Sequence, residues 1–216
     1  GIPTVASGYI RRQGRKPMAF IAKISDGQKV DWIREIGAKG GAILPNGDSA
    51  DLLNGFDGGS IAVVSGKSEL VYRNTLVRLD NTGKEVLNKQ LPFADKPIFL
   101  GFDEITQLSM IAFGFKDNDT LSYFSSITVC QTDSVGNLNW RLPLNIQGNV
   151  VSIIRSGDDN LLFANYKSYN INNSRKDSDN WAMVMVKIGN NGEVKSITPF
   201  SSSGNIHFTR VFPISN

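Results

Sequence analysis

Residues Phe56–Pro92, FDGGSIAVVSGKSELVYRNTLVRLDNTGKEVLNKQLP, hold one complete copy of a pattern that recurs along the chain. An apolar run closed by glycine (IAVVSG) leads through a polar stretch to an alternating run (NTLVRLD). A tight Asn-Thr-Gly turn then opens a last short run (EVLNKQLP). Alternation with period two marks a strand, and a glycine just after Asn or Asp supplies the positive φ that a tight hairpin needs. The turn glycine recurs as Gly27 (SDGQ), Gly83 (NTGK), Gly136 (SVGN) and Gly192 (NNGE), at spacings of 56, 53 and 56 residues. A period of that length suits a propeller blade of four strands.

The expected fold class is therefore all-β: a β-propeller of about four four-stranded blades, or part of a larger propeller. One domain spans 1–216, with repeat units at about 1–37 plus 206–216, 49–92, 98–144 and 149–200. Unit one lacks a first strand, while His207–Ile214 (HFTRVFPI) is left over at the C-terminus. Pairing that surplus strand beside Thr4–Tyr9 closes the ring without a covalent link and covers two open sheet edges. The expected core is Ile61, Val63, Leu76, Leu79, Ile111, Phe113, Ile127, Val129, Leu162, Val184 and Val186, the centres of the apolar runs.

Composition agrees with this class. No i, i+3, i+4, i+7 stripe runs longer than two turns, and 21 glycines are spread among short apolar runs. The net charge is +3, and the basic residues are scattered apart from Arg11, Arg12, Arg15 and Lys16. Nucleic-acid binding needs a concentrated basic face, so no nucleic-acid partner is expected. No apolar run approaches the ~20 residues that span a bilayer, so no membrane span is expected. A single cysteine, Cys130, excludes an intrachain disulfide. The chain begins at Gly1 almost directly in a strand, as expected of a processed or trimmed chain.

The units resemble secreted bacterial β-propeller repeats of the PQQ-like and Bacteroidetes surface type, whose pattern reads DGGYIVAG … AFIVKLDSNGNIQWQK. Here it appears as TVASGY…AFIAKISDGQKVDWIREIG and DGGSIAVVSG…NTLVRLDNTGKEVLNKQLP, and again in the two later units. Trp32 and Trp140 hold the docking position of that pattern, with Leu87 and Lys195 or Ser196 in the other units. The resemblance implies the fold and a location that is secreted, periplasmic or at the cell surface. It implies no catalytic residue.

Long connections between the second and third strands of each unit are where a rigid scaffold with variable loops places recognition. They are expected at Ile10–Met18, Lys67–Asn74, Lys116–Ser125 and Lys167–Asn180. The candidate binding residues there are Arg11, Arg12, Tyr72, Arg73, Asp117, Asp119, Tyr123, Tyr169, Arg175 and, at the margin, Trp181. The alternating acids Asp117-Asn118-Asp119 and Asp177-Ser178-Asp179 lack the glycine and closing glutamate of a calcium loop. They read as polar turns, and no metal site or cofactor is expected. His207 is the sole histidine and Cys130 lies in an apolar strand, so no catalytic residue is assigned. The expected function is a non-catalytic binding or interaction scaffold of the bacterial envelope, with a protein or carbohydrate ligand. The alternative is a polysaccharide-active enzyme, a glycosidase or lyase, that draws acids from several blades.

Overall fold

The computed structural model describes residues 4–10, 13, 18–25, 29–36, 48–56, 58–68, 71–114, 126–167, 181–200, 208, 209 and 211. All fourteen elements are strands: β1 (Thr4–Ile10), β2 (Met18–Ile24), β3 (Val30–Ile36), β4 (Asp48–Phe56), β5 (Gly59–Ser68), β6 (Val71–Asp80) and β7 (Glu85–Gln90). β8 (Lys96–Asp103), β9 (Leu108–Gly114), β10 (Ser126–Thr132), β11 (Leu138–Ser156), β12 (Asp159–Lys167), β13 (Trp181–Gly189) and β14 (Val194–Phe200) follow. The chain is all-β, and its sheets are antiparallel meanders of the propeller-blade kind. β1-β2-β3 and β4-β5-β6-β7 form separate sheets, and β8 to β14 run in sequence order through a third.

Two expectations change here. Units three and four are not separate sheets, because Leu138–Ser156 is one strand of 19 residues. The expected break at 145–148 is bridged by strand backbone, and the second half pairs with β12 from Gly148↔Tyr166 to Ser156↔Asp159. Lys67–Asn74 is not a long loop either. β5 and β6 pair out to Ser68↔Val71, so only residues 69–70 separate them. Val71 and Tyr72 favour extended backbone, and the ladder continues through them.

By its contacts the chain forms two compact units: Gly1–Ser109 with Thr132–Asn137, and Met110–Gln131 with Leu138–Asn216. In the first, Ala19, Ile21 and Ile36 of one sheet pack with Ala62, Val64, Val77 and Leu79 of the next, and Val5 and Trp32 close the cluster. In the second, Ile111, Phe113, Ile127, Val129, Leu162, Val184 and Val186 are buried to 3% exposure or less. All the residues expected in the core are buried. So are Ala62, Val64, Val77, Ala112 and Cys130, which alternate with them. The middle strands are covered on both faces, as their unbroken apolar runs require.

The hairpin glycines behave as the pattern demands. Gly83, Gly136 and Gly192 take φ of 78°, 76° and 82°. Each donates back to the residue three before it, and the flanking pairs Asp80–Lys84, Asp133–Asn137 and Gly189–Glu193 close the turns. Ser25 and Lys29 make the matching bond in unit one.

The closing strand expected at His207–Ile214 lies largely outside the described residues. Within it, Phe208 is held by Asn165 of β12, whose side-chain amide donates to the Phe208 carbonyl at 2.9 Å. The Asn165 Oδ1 accepts from the Phe208 N–H at 2.7 Å. The Phe208 ring stands edge-on to Phe163 and Phe200 at 5.5 and 5.9 Å.

Candidate functional site

A meander sends alternate connections to opposite ends of its sheet, so each unit has a turn end and a loop end. The turn end is occupied by structural hydrogen bonds. Asp80 Oδ1 accepts from Thr82 N at 2.9 Å, Thr82 Oγ1 at 2.7 Å and Lys84 N at 3.0 Å. Asp133 Oδ1 does the same for the N–H groups of Val135 and Asn137. Donors from the first sheet take up the carbonyls of the Asp80–Lys84 turn. Trp32 Nε1 and Lys23 Nζ donate to the Asn81 carbonyl at 3.0 and 3.3 Å, and Arg34 Nε donates to that of Gly83 at 2.6 Å.

The Thr82 hydroxyl, followed by the Lys84 N–H, holds the Asp80 carboxyl below the usual carboxylate range. A carboxyl lowered on folding adds stability above its unfolded value and loses it as pH falls through the folded one. Removing that dependence, Asp80→Asn is therefore expected to flatten the fall in melting temperature between about pH 5 and about pH 2 relative to the parent. Equal slopes for the two proteins would refute the assignment.

At the loop end, Arg11, Arg12, Asp117, Asp119, Tyr123, Tyr169 and Arg175 lie outside the described residues. Tyr72 and Arg73 lie on β6 opposite Lys67 and Gly66, and Arg73 is exposed. They sit on a strand ladder rather than in the loop expected for them. Trp181 opens β13 opposite Lys167, at the base of the connection 168–180. The topology thus places every candidate at the loop end of its own sheet.

Two polar residues with structural work were not legible as such. Asn74, expected at a loop margin, is fully buried. Its amide donates to the carbonyls of Phe93 and Asp95 at 3.0 and 2.8 Å and accepts from Ser65 Oγ at 2.8 Å. Asp159, in a polar turn, forms ion pairs with Lys187 at 3.0 Å and Lys195 at 2.6 Å. Asn and Asp at strand ends look alike in sequence whether they face water or a neighbouring backbone. Cys130 is buried, and burial pushes its thiol up to about 12, as an inert thiol requires. Among the described residues, no helix is long and apolar enough to cross a membrane.

No family model and no curated protein matches the chain, so the likeness to PQQ-like surface repeats stands only as an all-β repeat. Among solved structures the chain is similar to a mutant of Synechocystis apocarotenoid oxygenase, at 14% identity and a TM-score of 0.46. The match covers 88% of this chain, which spans 45% of that protein's chain. That protein is an enzyme, and the finding overturns the expectation of a non-catalytic binding scaffold. At this level of likeness no residue or activity carries over.

Proposed function

We propose that the chain is part of an exported enzyme acting on a polysaccharide, with the substrate received at the loop end of its sheets. The observation that carries this reading is the contrast between the two ends. At the turn end Asp80, Asp133 and Asp159 are engaged by local partners. The longest connections within the sheets, 11–17, 115–125 and 168–180, leave from the other end and bear Asp117, Asp119, Asp177 and Asp179. Glycoside cleavage needs two carboxyl groups, one to protonate the leaving oxygen and one to attack or to activate water. Tyr123, Tyr169 and Trp181 supply flat apolar faces, and Arg11, Arg12, Arg73 and Arg175 supply fixed donors, the lining that a ligand site combines. The likeness to exported repeats supports a location outside the cytoplasm.

The test is release of reducing ends or unsaturated products from a panel of purified polysaccharides. Asp117→Asn, Asp119→Asn, Asp177→Asn and Asp179→Asn are compared with the parent. At least one variant is expected to lose about 10²–10⁴ in kcat, the usual contribution of a general acid or base, with an unchanged circular dichroism spectrum. An uncleaved panel, or four variants as active as the parent, overturns the proposal.

A further inference from the structure

Three of the four outer hairpins reach forward to the next unit in the same way. Three residues past each turn-closing residue (Lys29, Lys84, Asn137 and Glu193) stand Trp32, Leu87, Trp140 and Ser196. A Cβ built on Gly83 would meet the Trp32 ring at 2.6 Å, and one on Gly192 would meet the Trp140 ring at 2.7 Å. One on Gly136 would meet Lys89 Cβ at 2.9 Å and Leu87 Cδ1 at 3.5 Å. Each docking side chain therefore lies on the turn glycine of the following unit.

The basic residue two before each turn takes part as well. Lys23 Nζ donates to the Asn81 carbonyl, and Arg78 donates to Gln107 Oε1 at 2.7 Å. Both reach the following unit.

Unit four breaks this rule at every point. Its docking position is the small, exposed Ser196, and all seven residues of β14 are exposed. Lys187, which matches Lys23 and Arg78, turns back to Asp159 of its own sheet, and Lys195 joins it there. Asp159 faces Gly189 in the register where Gly59 faces Asp80 in unit two, so the acid replaces a glycine. Pairing with Lys195 first, then Lys187, holds the Asp159 carboxyl below its usual range, and Asp159 in turn raises the Lys195 ammonium. The glycine that such docking requires is also missing from the first unit, where Gln28 precedes the closing Lys29.

We infer that the outer face of the fourth sheet is a capped end of the repeat array. The Asp159–Lys187–Lys195 cluster holds inward the side chain that elsewhere grips the next turn, and Ser196 faces water instead of another repeat. A polar outer face is what a terminal repeat needs to stay soluble. The inference does not depend on the enzymatic reading above.

Thiol labelling of the full chain tests it. Cys130 is buried with its thiol pushed up to about 12, so it contributes no background under native conditions. The thiol introduced by Ser196→Cys is expected to react with dithiobis-nitrobenzoate within about threefold of its rate in urea, since exposure and thiolate fraction set the rate. The same measurement on Leu87→Cys is expected to be at least about tenfold slower in the native state. A Ser196→Cys thiol as protected as that of Leu87→Cys would mean that a turn covers the face, and the cap would be refuted. In a second arm, Asp159→Asn is expected to raise acylation of Lys187 and Lys195 severalfold by mass spectrometry while leaving Lys23 unchanged. Unchanged labelling of both lysines would also overturn the inference.

Discussion

Trp140→Ala is expected to lower the unfolding free energy by about 3–5 kcal/mol, the usual cost of deleting a large buried aromatic. The ring is 9% exposed and lies on the Gly192 turn. Part of that cost belongs to the pair, and a double-mutant cycle separates it. Alanine at Gly192 must adopt φ of 82° and displace the ring. With Trp140 already removed, only the left-handed backbone cost of about 1–2 kcal/mol remains. Gly157→Ala is the control, because Gly157 has φ of 60° and nothing within 4 Å of an added Cβ. Urea unfolding should show Gly192→Ala more costly than Gly157→Ala in the parent and about equal to it in the Trp140→Ala background. Equal costs in the parent would mean that the ring does not rest on the turn. Trp140→Phe should be far milder than Trp140→Ala, since the buried Trp140 Nε1 finds no acceptor among the described residues.

Gly59→Ala is expected to be the most damaging single methyl in the chain, costing more than about 4 kcal/mol or preventing folding. Gly59 has φ of 139°, a region essentially restricted to glycine. An added Cβ would overlap the Leu79 carbonyl and crowd Asp80, both backbone, so no rotamer change relieves it. Gly59 also pairs with Phe56 on one side and Asp80 on the other, which fixes it between two ladders. In unit four, Asp159 tolerates the matching register because the positive φ there falls on Gly157. Soluble yield and far-ultraviolet circular dichroism decide the matter: a variant that melts within a few degrees of the parent would show that the turn can rearrange.

These positions show how far local chemistry reads. The turn glycines and the Asp or Asn before them were legible because a tight hairpin needs a specific φ and a nearby acceptor. Trp32 and Trp140 were legible as docking residues from their equivalent places in the repeat. The core residues were legible as well, but their burial does not test the strand register. Ala62, Val64 and Val77 are as buried as the residues between them, so a slip of one position would have given the same result. Tyr72 and Arg73 were assigned to a loop because polar residues flank them, although the β5–β6 ladder runs through both.

By itself the sequence determined what depends on nearest neighbours along the chain: an all-β class, fourteen strands close to their observed places, the outer hairpins and a 53- to 56-residue repeat. Tertiary structure alone decided what depends on residues far apart in sequence. It ran Leu138–Ser156 through as a single strand, drew Asn74 inward to the carbonyls of Phe93 and Asp95, and set Asp159 between two lysines. The physical reason is that a strand's alternation and a turn's φ are local properties. A polar side chain at a strand end, by contrast, acquires its role from whichever backbone or charge the folded chain brings within about 3 Å of it.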